Sequence, residues 1–155
     1  MTSVDIISKL PYAPPFLFVD EILQINDQGV TGFYEFPEDS FFYSGHFKEN
    51  PVTPGVILTE CMAQIGVVSL GIFLISSENN ENLESNRKIG LSSTEIDFFK
   101  PVFPGERVKV VSSKEYFRFN KLKCKVEMFD IQDNLICRGK IAGMISEEIA
   151  KNSAE

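Results

Sequence analysis

The sequence predicts an α+β domain in which an antiparallel β-sheet wraps around one long central helix. An apolar run extends from Pro54 to about Ser76 and is apolar almost all round, as expected of a helix enclosed by other elements. A hairpin pattern precedes this run and further strand patterns follow it. One helix among antiparallel strands favours a sheet folded around that helix. We predict a single domain over residues 1–155, a length sufficient for one core.

Short elements are predicted before the central helix. Val4 to Leu10 is predicted to be a helix with Ser3 as its N-cap and Pro11 as its stop. A hairpin follows, with strands at Phe16 to Ile25 and Val30 to Phe36. Residues 37–53 show no periodicity and contain two prolines and a glycine, so we expect an irregular segment there.

The chain after the helix is predicted to be mostly strands. Residues 76–86 are rich in Ser, Glu and Asn and are predicted to form a polar linker. Four strand patterns follow, at Lys88 to Phe98, Arg107 to Phe119, Leu122 to Asp130 and Asn134 to Met144. The tail from Ser146 to Glu155 is predicted to be helical or frayed.

Composition limits the class of protein. The three cysteines are widely spaced and the chain opens without a secretory pattern, so we expect a reduced, cytoplasmic protein. The uninterrupted apolar part of the helix, Ile65 to Ile75, is much shorter than the roughly 20 residues of a membrane span, which favours a buried helix. The 14 phenylalanines predict an aromatic core or an acyl tunnel lined by phenylalanine.

Charge is unevenly distributed along the chain. The net charge of −7 argues against nucleic acid as a general partner. Lys100 to Lys125, however, contains eight basic and two acidic residues, a net charge of +6. Two interpretations remain open, a solvated strand face or a docking surface for an acidic partner.

Two titratable residues lie close together in the sequence. His46, the only histidine, lies in the irregular segment, and Glu60 follows on the apolar helix. Histidine exchanges protons near neutral pH, and we expect burial to raise the pKa of Glu60. Gln64, four residues after Glu60, lies on the same helix side and is expected to hydrogen-bond to it. The pair is a candidate base and acid.

The start of the central helix is a candidate site for an anionic oxygen. Pro54 suits the first turn of a helix, and Gly55 permits close approach to its free amides. An enolate-like oxygen is therefore expected to be stabilised there.

Three stretches resemble one protein family. The central stretch is Gly45-His46-Phe47 followed by Asn50-Pro51-Val52-Thr53-Pro54-Gly55 and Glu60-Cys61-Met62-Ala63-Gln64. Leu10-Pro11 with Pro15 to Asp20 precedes it, and Phe99 to Glu106 follows it. This order is similar to that of FabZ-type 3-hydroxyacyl-[acyl-carrier-protein] dehydratases, which have the hotdog fold.

The resemblance implies a role for each matching residue. His46 would remove the C2 proton of a 3-hydroxyacyl thioester, Glu60 would protonate the departing C3 hydroxyl, and the Gly55 amide would hold the thioester oxygen. Val56, Gln64 and Phe47 are expected to help bind the substrate. The family forms dimers, and sometimes hexamers, whose sites combine the histidine and the acid of different subunits.

The resemblance also implies the partner and the pathway. The substrate would be carried on the phosphopantetheine of acyl carrier protein, with no other cofactor, in fatty-acid, polyene or polyketide synthesis. Glu at position 60 resembles the FabZ type more than the FabA-type isomerases, which have Asp. The chain departs from the family pattern at Tyr12-Ala13, usually His-Arg, and at Glu21 and Cys61, which leaves the carrier and the acyl chain open.

Other chemistries are less well supported by the sequence. One histidine and scattered cysteines do not form a usual metal-ligand cluster. Cys61 has no second histidine to activate it and is expected to be a core residue. A thioesterase on the same fold, and a non-catalytic acyl-binding partner of an active homologue, remain the alternatives to the dehydratase.

Overall fold

The computed structural model describes residues 1–78 and 87–147. A short helix, α1 (Ser3–Lys9), precedes a hairpin of β1 (Glu21–Asn26) and β2 (Gly29–Glu35). The central helix comprises α2 (Gly55–Ala63), a π-helical turn (Gln64–Val68) and α3 (Ser69–Glu78). The remaining strands are β3 (Arg87–Phe98), β4 (Arg107–Arg118), β5 (Lys121–Phe129) and β6 (Leu135–Glu147).

The six strands form one antiparallel sheet in the order β1-β2-β4-β5-β6-β3. Its inner face packs on the central helix, which confirms the predicted α+β architecture. In β4 and β5, buried and more exposed positions alternate, as expected of strands with one face on a core. Val108, Val110 and Leu122 are among the fully buried side chains on that face.

The central helix lies so deep that it is apolar on nearly all sides. Met62, Ile65 and Leu70 are completely buried. The helix is long and apolar enough to cross a membrane, but the sheet already buries most of it within the domain. Its apolar surface is therefore explained by the core, as the sequence predicted.

The π-helical turn gives the central helix an irregular hydrogen-bond pattern. The backbone amide of Ser69 donates to the Gln64 carbonyl, five residues earlier, and the Ser69 hydroxyl donates to the same oxygen at 2.8 Å. The Ser112 hydroxyl on β4 donates to the Gly66 carbonyl, also at 2.8 Å. The turn is thus tied to the sheet, and nothing in the apolar pattern of the sequence predicted it.

Most predicted boundaries differ from the observed ones by one or two residues, and the predictions for the N-cap of α1, the start of the first strand and the end of the last strand were wrong. The N-cap of α1 is Thr2 rather than Ser3, because Thr2 and Asp5 form a reciprocal capping box. The first strand begins at Glu21 and not at Phe16, because the backbone of Phe16 and Phe18 bonds to the Gln64 side chain. The last strand continues to Glu147, where a helical or frayed tail was expected. The rest of that tail and most of the predicted linker lie outside the described residues.

The irregular segment between β2 and α2 is held by the connection between β3 and β4. The Phe36 amide donates to the Glu106 carbonyl at 2.9 Å, and the Thr53 amide donates to the Val102 carbonyl at 2.8 Å. The buried hydroxyls of Tyr43 and Thr53 lie 2.6 Å apart. Both ends of this segment are therefore fixed on one scaffold.

The contact between β3 and β6 generates the first prediction. A Cβ atom added to Gly139 on β6 would overlap the Glu95 carbonyl oxygen on β3. We expect Gly139→Ala to lower the free energy of unfolding by about 1 to 3 kcal/mol, because backbone atoms must move apart. Urea unfolding followed by circular dichroism measures this change.

Gly90 on β3 provides the matched control. A Cβ atom added there meets no atom within 4 Å in the protomer. Gly90→Ala should therefore unfold at nearly the wild-type urea concentration. Equal stabilities of the Gly139→Ala and Gly90→Ala proteins would contradict the packing argument.

Candidate active site

His46 is oriented by its own loop. Its Nδ1 atom lies 2.8 Å from the carbonyl oxygen of Val52. A carbonyl only accepts hydrogen bonds, so Nδ1 carries the proton in the neutral ring and Nε2 keeps a free lone pair. The imidazole is half-buried, and Phe47 stacks on it with ring centroids 4.7 Å apart. His46 is thus presented as a base through Nε2.

Phe47 has an unusual backbone conformation for its size. Its φ of 58° lies in the left-handed region, which bulky residues seldom adopt. Its side chain is 66% exposed although it is a phenylalanine. The predicted substrate-binding residue therefore lies at the surface beside His46, where an apolar ligand or a second protein chain would cover it.

Glu60 lies in the second turn of α2 and is half-buried. Its Oε2 atom accepts a hydrogen bond of 3.0 Å from Nε2 of Gln64, which confirms the predicted contact between these side chains. The bond fixes one carboxyl oxygen and leaves Oε1 for another partner. This arrangement suits a carboxyl group that delivers a proton from a fixed position.

Gln64 is completely buried and uses both ends of its amide. Besides its bond to Glu60, Nε2 donates to the Phe16 carbonyl at 3.0 Å, and Oε1 accepts from the Phe18 amide at 2.8 Å. All of these bonds are made inside or at the edge of the core. Gln64 is therefore the residue that joins the acidic group to the segment before β1.

A cavity of about 220 Å³ lies beside Glu60. The other polar side chain in its wall is that of Tyr12. The rest of the wall is aliphatic or glycine, formed by Ala63, Val67, Val68, Ile89, Gly90, Leu91 and Gly143. None of the described residues in this wall is a phenylalanine, whereas Phe18, Phe41 and Phe42 line a different cavity of about 410 Å³. Phe98 instead packs over Gly55, where its ring lies 3.3 Å from the position of an added Cβ.

The first backbone amides of α2 have no hydrogen-bond acceptor within the helix. Pro54 is the N-cap residue, and it makes no side-chain capping bond. The first intrahelical bonds are those of Ile57 and Leu58 to the Pro54 carbonyl, so the amides of Gly55 and Val56 precede the helical ladder. Val56 is 76% exposed. Amides in this position can donate to a negatively charged oxygen, and the predicted role of Gly55 and Val56 remains a prediction.

The structure does not join all the predicted residues in one protomer. Glu60 and Gln64 contact each other, and His46 contacts Phe47, but His46 is not part of the wall of the Glu60 cavity. The hydrogen bonds of the described residues include none between His46 and Glu60. Within one protomer, the candidate base therefore lies on the loop before α2 and the candidate acid lies on α2, without a hydrogen bond between them among the described residues.

Tyr12 is the cavity residue whose position the sequence did not reveal. The sequence marked it only as a departure from the family pattern, and its place in the cavity wall with Glu60 depends on the fold. Burial and the nearby Glu60 carboxylate raise the pKa of Tyr12 to about 12. The available sequence signal for a position near the core was that Tyr12 follows Leu10, a core residue, by two residues.

Cys61 behaves as a core thiol. It is completely buried, donates a weak hydrogen bond to the Phe18 carbonyl at 3.4 Å, and has a pKa raised well above its ordinary value by burial. The prediction that Cys61 is a core residue is confirmed. Within residues 1–78 and 87–147, no cluster of three or more His, Cys, Asp or Glu side chains suits a metal ion.

Comparisons with known proteins identify the family of the chain. Residues 10–140 match the FabA-like domain model. The protein named 3-hydroxyacyl-[acyl-carrier-protein] dehydratase FabZ in Paramagnetospirillum magneticum is 31% identical over 144 residues, 92% of this chain and 86% of the relative. Its namesake in Listeria welshimeri is 32% identical over 142 residues, 89% of this chain and 91% of the relative.

Solved structures agree in fold. The dehydratase heterocomplex ApeI:P of Xenorhabdus doucetiae superposes with a TM-score of 0.74 at 13% identity, covering 96% of this chain and 93% of the other. A hypothetical thioesterase of Streptococcus pneumoniae with coenzyme A gives a TM-score of 0.59 at 12% identity, covering 84% and 88%. These likenesses and the sheet order confirm the predicted hotdog fold.

The buried amide of Gln64 generates the second prediction. Gln64→Ala leaves the Phe18 amide and the Phe16 carbonyl without partners. We expect the free energy of unfolding to fall by about 2 to 4 kcal/mol, since unpaired buried groups are costly and the site also loses volume. The midpoint of urea unfolding measures the change.

Gln24→Ala is the control for this variant, because Gln24 is exposed on β1. Its stability should stay within about 0.5 kcal/mol of wild type. If both variants unfolded alike, Gln64 would not be the buried link that the hydrogen bonds indicate.

Proposed function

The chain belongs to the FabA-like family, and from this membership we propose that it removes water from 3-hydroxyacyl-[acyl-carrier-protein] as a FabZ-type dehydratase. The product is the trans-2-enoyl thioester, in fatty-acid synthesis or a related polyene or polyketide pathway. The observation that carries the proposal is Glu60 itself. Its carboxyl group is held by Gln64 at the wall of a mostly aliphatic cavity, which suits an acyl chain.

The proposed reaction assigns one proton movement to each titratable residue. Nε2 of His46 takes the C2 proton, and the electrons of that bond form the new C2–C3 double bond. The C3–O bond breaks as Glu60 gives its proton to the hydroxyl, and water leaves. The Gly55 amide stabilises the negative charge that develops on the thioester oxygen. The step leaves His46 protonated and Glu60 ionised, and proton exchange with water returns both to their starting states. We therefore propose no cofactor beyond the phosphopantetheine that carries the substrate.

We propose that two protomers complete each site, with His46 from one and Glu60 from the other. The supporting feature is β3, which is one of the two edge strands of the sheet and also lines the Glu60 cavity. Leu91 and Phe98 on this strand are about half exposed although they are large apolar residues. A partner strand paired with β3 would cover both and bring a second loop to the cavity.

The proposed docking surface for acyl carrier protein is smaller than the basic stretch from Lys100 to Lys125. Three of its basic residues are already paired, Lys100 with Asp130, Arg107 with Glu21, and Lys109 with Asp133. On the neighbouring strands β5 and β6, Lys125 and Lys140 are direct cross-strand neighbours, and Glu115 pairs with Lys140. We place the docking surface at Lys123 and Lys125 on β5, beside Glu115, whose pKa is lowered first by its hydrogen bond to Lys140 and further by Lys123 and Lys125.

A cytoplasmic location belongs to the same proposal. The three cysteines are free and buried, and acyl carrier protein would have to be present in the same compartment. Free thiols are typical of reducing compartments.

The first test of function follows water loss. Purified wild-type protein is incubated with 3-hydroxyacyl-carrier-protein substrates of several chain lengths, and mass spectrometry detects the loss of water. We expect His46→Ala and Glu60→Gln each to lower the rate by about 10²- to 10⁴-fold, because each removes one proton-transfer group. Glu49→Gln, an exposed carboxyl near His46 in sequence, serves as the control and should retain activity.

Other products would assign a different function. Release of free thiol would indicate a thioesterase. Absence of turnover on every substrate, with binding of acyl carrier protein retained, would indicate a non-catalytic partner subunit.

The second test asks whether the site is shared. His46→Ala and Glu60→Gln proteins are unfolded, mixed in equal amounts and refolded together. Random pairing gives about half heterodimers, each with one complete site, so we expect about a quarter of the wild-type activity to return. If both residues came from the same protomer, the mixture would stay as inactive as its parents.

A further inference from the structure

The Glu60 cavity contains a second polar side chain that the proposed reaction has not used. Tyr12 and Glu60 are the two polar side chains among the described residues of its wall, and the rest of the wall is aliphatic or glycine. In an otherwise apolar site, the few polar groups fix the orientation of the ligand. A hydroxyl in this position is therefore expected to meet a polar group of the substrate.

The protonation state of the Tyr12 hydroxyl limits its chemical role. Tyr12 follows α1, is half-buried and packs against the core. Burial and the Glu60 carboxylate raise its pKa to about 12. The phenol therefore stays protonated and neutral near neutral pH. It is suited to donate or accept a hydrogen bond, and it is not suited to carry the proton of the reaction.

The proposed role of Glu60 indicates which polar group of the substrate enters this cavity. Oε2 of Glu60 is occupied by Gln64, so Oε1 remains to deliver the proton to the C3 hydroxyl. The cavity whose wall contains both Glu60 and Tyr12 is the space beside this carboxyl group. We propose that Tyr12 determines specificity for 3-hydroxyacyl substrates by hydrogen-bonding the C3 hydroxyl and the water formed from it. This inference rests on the proposed function.

This role explains why a tyrosine suits the position. When the C3–O bond breaks, the oxygen becomes a water molecule that needs more hydrogen-bond partners than the hydroxyl had. Glu60 provides one partner, and the aliphatic wall provides none. The Tyr12 hydroxyl supplies a second partner without adding charge beside the carboxyl group. A saturated acyl chain, which has no oxygen on C3, gains nothing from this contact.

The test compares two ligands that differ in one hydroxyl. Both are pantetheine thioesters of equal chain length, one 3-hydroxyacyl and one saturated, and binding is measured by calorimetry in a His46→Ala background to prevent turnover. Adding Tyr12→Phe should weaken binding of the 3-hydroxyacyl ligand by about 3- to 10-fold, the effect of one neutral hydrogen bond. Binding of the saturated ligand should not change.

Tyr34→Phe in the same background is the matched control. Burial also raises the pKa of Tyr34 to about 12, but Tyr34 lines a different cavity beside Asp20. It should leave both affinities unchanged. If Tyr12→Phe left the preference between the two ligands as it was, through equal loss or through no loss, Tyr12 would be a packing residue and the inference would be wrong.

Turnover by the wild-type chain separates this inference from the proposed function. Wild-type dehydration together with an unchanged ligand preference in Tyr12→Phe overturns the Tyr12 contact alone. Failure of the wild-type protein to release water overturns the dehydratase proposal, and the Tyr12 contact with it.

Discussion

The hydrogen bonds of the buried Gln64 amide are the interaction on which the site depends. Gln64 lies at the centre of the domain, and its bonds reach the Phe16 carbonyl, the Phe18 amide and the Glu60 carboxyl. A buried amide without these partners would cost several kcal/mol. The core therefore has one arrangement in which the amide is satisfied, and that arrangement also fixes the acid.

The π-helical turn that begins at Gln64 fits the same constraint. A π-helical turn widens the helix locally and leaves carbonyl groups with altered partners. The Ser69 hydroxyl bonds to the Gln64 carbonyl, and the Ser112 hydroxyl of β4 bonds to that of Gly66. An added Cβ on Gly66 would lie 3.1 Å from Ser112 and from Val126. Small side chains and hydroxyls thus let the sheet approach the helix where its bonding is irregular.

The sequence predicted the parts of the fold that depend on regular patterns. Period-two burial in β4 and β5, and the helix apolar on all sides, are visible in the order of residues. The late start of β1 was not predictable in this way, because Phe16 to Val19 has the composition of a strand. Its backbone partner is Gln64, 46 residues after Phe18, and local propensity contains no information about such a distant side chain.

The candidate site shows the same division between local and distant information. The His46 and Glu60 pair, and the Gln64 contact at i+4, follow from residue types and helical spacing. The position of Tyr12 in the wall of the Glu60 cavity depends on how the segment after α1 packs in the fold. Residue patterns along the sequence do not describe this packing. His46 is oriented by a carbonyl of its own loop and Glu60 by an amide of its own helix. Neither group depends on the other for its orientation, so one protomer holds both groups in position. The pairing that we propose through the β3 edge then has only to bring the base of one protomer to the acid of the other.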